Sequence, residues 1–259
     1  LHEGGFEDDP TRMLRAARFM LRLDFAPGAG TAALLERAVQ ERRAETLSGA
    51  RLRNELEVIF REAPARGLAA LQELRLLEGM GLTPASPEAC EAAGLLPRAA
   101  RELGIELPDA GPMAACLAVY AGLSGQDASA LAERLMLGAC ARDAVCEASA
   151  LMVEPPAALS SAACDSELFF ALRGTVPAAA LALWTVLNDA ARGGLAHYWR
   201  DLRGATADVD GADLIAAGHE PGPAFAEALE AALVAKLNEG ADRGRQLAVA
   251  LRTLEDASD

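Results

Sequence analysis

Val, Ile and Thr occur 10, 3 and 8 times in a chain of 259 residues dominated by Ala and Leu. So few β-branched residues leave little material for a sheet, and an all-α fold follows. Apolar spacing agrees: Leu68, Leu71, Leu74, Leu77 and Met80 recur at helical intervals, as do Leu229, Leu233 and Leu237. With 52% apolar but only 4% aromatic residues, the expected core is Leu and Ala at close helix–helix distances, in one or two compact units. Breakers punctuate the pattern. Leu82 to Pro87 closes a first helical group, Leu107 to Pro112 separates two helices, and Pro155-Pro156 interrupts another run. The polar stretch from Gly204 to Gly211 leads into a last segment, so the predicted segments are 1–82, 83–206 and 207–259.

The first segment opens with Phe6-Glu7-Asp8-Asp9-Pro10-Thr11-Arg12, followed by Arg15, Arg18, Phe19, Arg22, Asp24 and Phe25. Pro10 suits the first helical position, where its missing N–H costs nothing, and Asp9 then falls at the N-cap. Asp9 and Arg12 lie on one side of the first turn. An ionised carboxylate only accepts hydrogen bonds and a guanidinium only donates them. Cytosine and adenine both place an exocyclic amine beside a ring-nitrogen acceptor, so an Asp–Arg pair complements them; guanine and uracil present the reverse order. The same letters also make an ordinary capped helix start. Arg12, Arg15, Arg18 and Arg22 form one basic stripe, either a solvated, salt-bridged face or a surface for triphosphate or RNA phosphates.

Phe6 to Phe25 resembles the neck of the class II tRNA nucleotidyltransferases, the CCA-adding enzymes and their bacterial poly(A) polymerase relatives. Their hallmark is an acidic-Asp-x-x-Arg motif running into an Arg-rich helix, here Asp8-Asp9-Pro10-Thr11-Arg12. Leu47-Ser48-Gly49-Ala50-Arg51-Leu52-Arg53-Asn54-Glu55-Leu56 is similar to the family's Leu-Ser-x-Glu-Arg-Ile-x-x-Glu-Leu motif, with Ala50 replacing Glu. Asp210 to Pro223, with Leu229 and Leu237-Asn238-Glu239-Gly240, is similar to its tail, and Asp24 stands where the family usually has Gly.

The resemblance implies an elongated helical array of neck, body and tail, matching the three segments above. It implies that Asp9 and Arg12 select CTP and ATP, that Asp8 supports them, and that Arg15 and Arg18 belong to the nucleotide site. Arg22, Gly218 and Gly222 become candidate RNA contacts. Implied partners are the tRNA 3′ end, CTP, ATP and a catalytic head in cis or trans, with no DNA and no membrane. Mg²⁺ is implied in the complete enzyme, bound by a head bearing a Gly-Ser pair and an Asp-x-Asp pair. Asp208-Val209-Asp210 has matching letters but sits in a Gly-flanked polar loop and reads as a turn. The chain starts with Leu, and the expectation is a truncated or naturally split enzyme, inactive without its head. Whether the parent adds CCA, CC, A or poly(A) stays open, and a stand-alone helical scaffold is the alternative from another class.

Residues 1–75 hold 12 basic and 12 acidic side chains, whereas residues 76–259 hold 12 and 26. RNA contact is therefore expected to be local, near the neck arginines and the Gly-rich tail loop, because an acidic surface repels phosphates. Cys90, Cys116, Cys140, Cys146 and Cys164 form no C-x-x-C pair. Their Ala-rich surroundings predict reduced core residues in a cytoplasmic protein without a metal site. His2, His197 and His219 are scattered, and His197 reads as a packing or surface residue. Neither a signal peptide nor a membrane span is indicated.

Overall fold

The computed structural model describes residues 3–107, 110–159 and 164–257. His2, Pro108 and Asp109 therefore lie outside the described residues. Among those described, sixteen α-helices and no strand are found. In chain order the first eight are α1 (Gly5–Asp8), α2 (Thr11–Leu23), α3 (Ala29–Gln40), α4 (Gly49–Glu62), α5 (Gly67–Glu73), α6 (Leu76–Gly79), α7 (Pro87–Leu103) and α8 (Gly111–Ser124). There follow α9 (Ala128–Arg134), α10 (Ala139–Val153), α11 (Asp165–Leu172), α12 (Pro177–Val186), α13 (Asp189–His197), α14 (Gly211–Ala216), α15 (Ala224–Glu239) and α16 (Arg243–Asp256). No single helix among the described residues is long and apolar enough to cross a membrane.

The helices gather into two compact units, Leu1–Pro155 with Thr175–Asn188, and Pro156–Gly174 with Asp189–Asp259. The first unit is built around α8, buried from Met113 through Tyr120 and Ala121. That helix carries no charge and is apolar all round, so it can only be stable inside. It packs against α4, α7, α10 and α12, and α12 is buried from Ala178 to Thr185 for the same reason. The buried Tyr120 hydroxyl donates to the carbonyl of Thr83, and burial pushes its pKa up. The segment expected as neck lies in this unit with residues 83–155 and 175–188 of the expected body, and the rest of that body belongs to the second unit.

In the same unit, α2 places Met13, Leu14 and Ala17 against α4 and α5, which turns its arginine stripe outward. It ends on Asp24 in the left-handed conformation (φ 51°, ψ 47°). A Cβ is disfavoured in this region, which suits the Gly usual at this place in the family that the neck resembles, while Asp tolerates it better than most residues. The helical spacing from Leu68 to Met80 does not make one helix. Arg75 is left-handed (φ 54°) between α5 and α6, and this turn allows Leu71, Leu76, Leu77 and Met80 all to be buried, with α6 packed on α3.

In the second unit, the polar loop before α14 closes the packing of α15 on α16. Gln246 is fully buried. It accepts from the Asp208 amide (2.8 Å) and donates to Asp208 Oδ2 (2.8 Å) and the Ala241 carbonyl. Lys236 Nζ also binds Asp208 (2.6 Å), and Asp210 caps α14 through the amides of Ala212 and Asp213. The Asp208-Val209-Asp210 stretch is thus a loop, bent at Asp208 and extended at Asp210, that leads into the α14 cap. Only Cys116 of the five free cysteines is buried, and burial pushes its thiol up to about 12. Cys140 and Cys164 are exposed, contrary to the core role expected of all five, because both sit at helix starts where an Ala-rich sequence does not imply an inward face.

Candidate nucleotide-binding site

Asp9 is the hinge between α1 and α2. Its backbone is extended (φ −147°, ψ 93°) and Pro10 already has helical angles (φ −62°, ψ −17°), so Pro10 opens the helix as its fixed ring favours. The Asp9 carboxylate accepts from the Thr11 amide (3.2 Å) and the Thr11 hydroxyl (2.7 Å). A third donor comes from far along the chain: Arg51 Nη2, on the first turn of α4, lies 2.9 Å from Asp9 Oδ1. The Thr11 hydroxyl bond, the Thr11 amide and the Arg51 and Arg12 charges outweigh partial desolvation. Together they hold the Asp9 carboxyl below its usual range. At neutral pH Asp9 is therefore a pure acceptor.

Arg12 does not turn to Asp9. Its Nη1 donates to the Gly5 carbonyl of α1 (2.9 Å), leaving its remaining N–H groups for other acceptors. The two side chains influence each other electrostatically, yet among the described residues no hydrogen bond joins them. Asp8 is exposed at the last position of α1. Its neighbour Glu7 ties α1 to α3 through Arg37 (3.0 Å) and reaches Arg43 (3.6 Å).

Beside this pair, Arg12, Arg15, Phe19, Met20, Phe25 and Thr31 line an open cavity of about 370 Å³. A basic wall facing aromatic and aliphatic ones suits a planar group with attached phosphate. Arg18 and Arg22 lie farther along the stripe, each guanidinium 5.1 Å from the Phe19 ring centre. Arg18 also approaches Glu62 (4.0 Å), and its buried Nε has no hydrogen-bond partner among the described residues. The tail candidates sit in the other unit. Gly218 (φ 98°) terminates α14, donating to the Ile215 carbonyl while His219 donates to that of Leu214. The Gly222 carbonyl accepts from the Phe225 amide at the start of α15.

Sequence reasoning assigned no role to Thr11, to the Gly5 carbonyl, or to the Arg51–Asp9 bond. Thr two residues after Asp is the signature of a side-chain turn; a bond across 42 positions leaves no local signal. No group of three or more His, Cys, Asp or Glu suited to a metal is present among the described residues. Asp208 and Asp210 are committed to Lys236, Gln246 and helix amides, so they do not fit a magnesium site.

No family model matches the chain. The A-adding tRNA nucleotidyltransferase of Geobacter sulfurreducens is 29% identical over 99% of this chain, which corresponds to 31% of that protein. The Thermotoga maritima CCA-adding enzyme complexed with tRNA superposes with a TM-score of 0.82 and 26% identity, over 98% of this chain and 63% of that one. A CCA-adding enzyme in complex with CTP shares the fold at a TM-score of 0.82 and 24% identity, over 100% of this chain and 62% of its own. This chain thus spans about a third of the length of the first relative and about three fifths of each solved enzyme. With the neck motif folded at the head of α2, the chain is similar along nearly its whole length to the helical portion of class II tRNA nucleotidyltransferases, the CCA-adding enzymes among them.

Proposed function

We propose that this chain is the nucleotide-selecting and tRNA-holding portion of a cytoplasmic enzyme that adds CMP or AMP to tRNA 3′ ends, with a catalytic head in cis or trans. The observation that carries this reading is the pairing of an ionised Asp9 with Arg12 at the start of α2, each anchored to the scaffold and neither hydrogen-bonded to the other. In this reading Asp9 accepts from the exocyclic amine of cytosine or adenine while Arg12 donates to the neighbouring ring nitrogen. Guanine and uracil would set acceptor against acceptor and donor against donor. Buried mismatches of that kind support discrimination on the order of 10⁴. Arg15 and the Phe19–Phe25 cavity would hold the remainder of the nucleotide. Mg²⁺, held by the head, would supply charge neutralisation for phosphoryl transfer.

The acidic balance of residues 76–259, 12 basic against 26 acidic, favours tRNA binding by shape and a few local contacts, with Arg22 and the loop around Gly218 and Gly222 as the candidates. The test is nucleotide competition in the complete, head-containing polypeptide. Arg12→Ala should abolish the preference for C and A over G and U. Retained selectivity would overturn the assignment, and no nucleotide response at all, even in the unmodified polypeptide, would favour a helical scaffold that has left catalysis.

A further inference from the structure

All three hydrogen bonds to the Asp9 side chain end on the same oxygen. The Thr11 amide (3.2 Å), the Thr11 hydroxyl (2.7 Å) and Arg51 Nη2 (2.9 Å) converge on Oδ1, and among the described residues none reaches Oδ2. A carboxylate oxygen accommodates about two hydrogen bonds, so Oδ1 is saturated. Resting on the base-selection reading above, we propose that Thr11 and Arg51 are its positioning residues: they consume one edge of the Asp9 carboxylate and present the other, Oδ2, to the exocyclic amine of the base.

The terminal torsion of an Asp side chain is broad and roughly two-fold, so a carboxylate without such clamps samples many orientations. One of them points at Arg12, three residues on in the first turn of α2, close enough for opposite charges to pair. That internal ion pair would satisfy acceptor and donor together and withdraw both from the base. The clamps oppose it from two sides. Thr11 holds Oδ1 from α2 itself, and Arg51 holds it from α4, whose first turn is fixed by the Ser48 cap, the Ser48 hydroxyl accepting from the Arg51 amide (3.4 Å). On the other partner, the Gly5 carbonyl draws the Arg12 guanidinium toward α1. Selection in this arrangement depends on keeping an acceptor and a donor adjacent but apart.

The test uses the complete, head-containing polypeptide, titrated with CTP and with UTP while Thr11, Arg12 and Arg51 resonances are followed by NMR, and the ratio of the two dissociation constants is read. Arg51→Ala removes a side chain that is 55% exposed, so the fold should survive. Alone or with Thr11→Val it should lower the CTP preference about tenfold, the loss expected for one charge-assisted hydrogen bond. The Asp9 carboxyl, which faces only Arg12 and Arg51 among charged neighbours that act on it, should titrate closer to the free Asp value in the same variants. Thr11→Ser keeps the hydroxyl and should retain both properties. An unchanged CTP-to-UTP ratio in Arg51→Ala and Thr11→Val, while Asp9→Asn loses it, overturns the positioning role alone. An unchanged ratio in Asp9→Asn overturns base selection by Asp9, and the positioning role with it.

Discussion

Gly49 is the first residue of α4, directly after the Ser48 cap. A Cβ built there would lie 2.3 Å from the Arg134 carbonyl oxygen at the end of α9 and 2.8 Å from Met136 Cγ. The Met side chain can move aside; the carbonyl is backbone and cannot rotate away. Gly49→Ala should therefore force α4 and α9 apart, at an overpacking cost of about 1–3 kcal/mol. Against this stands the gain of replacing Gly by Ala in a helix, about 0.5–1 kcal/mol at an interior position and less at the first turn. The net loss is about 0.5–2 kcal/mol, or a fall in melting temperature of about 2–6 °C for a unit of this size.

The control lies in the same unit. At Gly94, inside α7, the added Cβ meets only the Ala65 carbonyl oxygen at an ordinary 3.7 Å, so Gly94→Ala should raise the melting temperature by about 1–3 °C. Thermal unfolding of both variants, followed by circular dichroism, gives opposite signs if the α4–α9 approach is tight. A Gly49→Ala protein melting with or above the parent would refute the packing argument. The site supplies a second readout, because Arg51 rides on the same turn of α4: displacement of that turn should raise the Asp9 pKa in Gly49→Ala and leave it unchanged in Gly94→Ala.

Asp24→Gly should stabilise the chain by about 0.5–1 kcal/mol in denaturant unfolding, because it relieves a left-handed non-glycine residue and gives up only the exposed Arg66 contact at 3.4 Å; a loss of stability would show that contact to matter more than the backbone. His197 bonds Asp201 (2.9 Å) and Asp165 (3.0 Å) through its two ring nitrogens, and these carboxylates, with Asp201 the larger influence, raise its pKa. A raised folded-state pKa stabilises fully below the unfolded value near 6.5 and is lost as pH rises through the folded value. The stability gap between the parent and His197→Gln should accordingly be widest near pH 5.5 and close in the alkaline range, and a gap independent of pH would refute the ionic clamp. Gln246→Leu should cost about 1–3 kcal/mol in denaturant unfolding by stripping the Asp208 amide and the Ala241 carbonyl of their partner, whereas a neutral result would mean that water replaces the amide.

What the sequence discloses here is what repeats along one helix. The capped start at Asp9 and Pro10, the outward arginine stripe opposite Met13, Leu14 and Ala17, and the break at Pro155 all follow from the helical period and from residues with restricted backbones. The left-handed turn at Arg75 was hidden because Leu74 and Leu77 keep the period across it; only the demand to bury Leu76 as well as Leu77 reveals the break. Cys140 and Cys164 misled for a related reason, since an alanine-rich neighbourhood is equally apolar on both faces and gives a helix no preferred inward side. The Arg51–Asp9 bond depends on how α4 docks against α2, and docking is decided by contacts such as the missing Cβ of Gly49 rather than by the residues that form the bond. The same division explains the electrostatics of the site. Residues 1–75 carry balanced charge, 12 of each sign, and several of their carboxylates pair with arginines away from the cavity, as Glu7, Glu41 and Glu45 do. Arg12 and Arg15 therefore face the cavity beside aromatic rings, and a neutral segment presents a locally basic site because its acids are spent elsewhere in the scaffold.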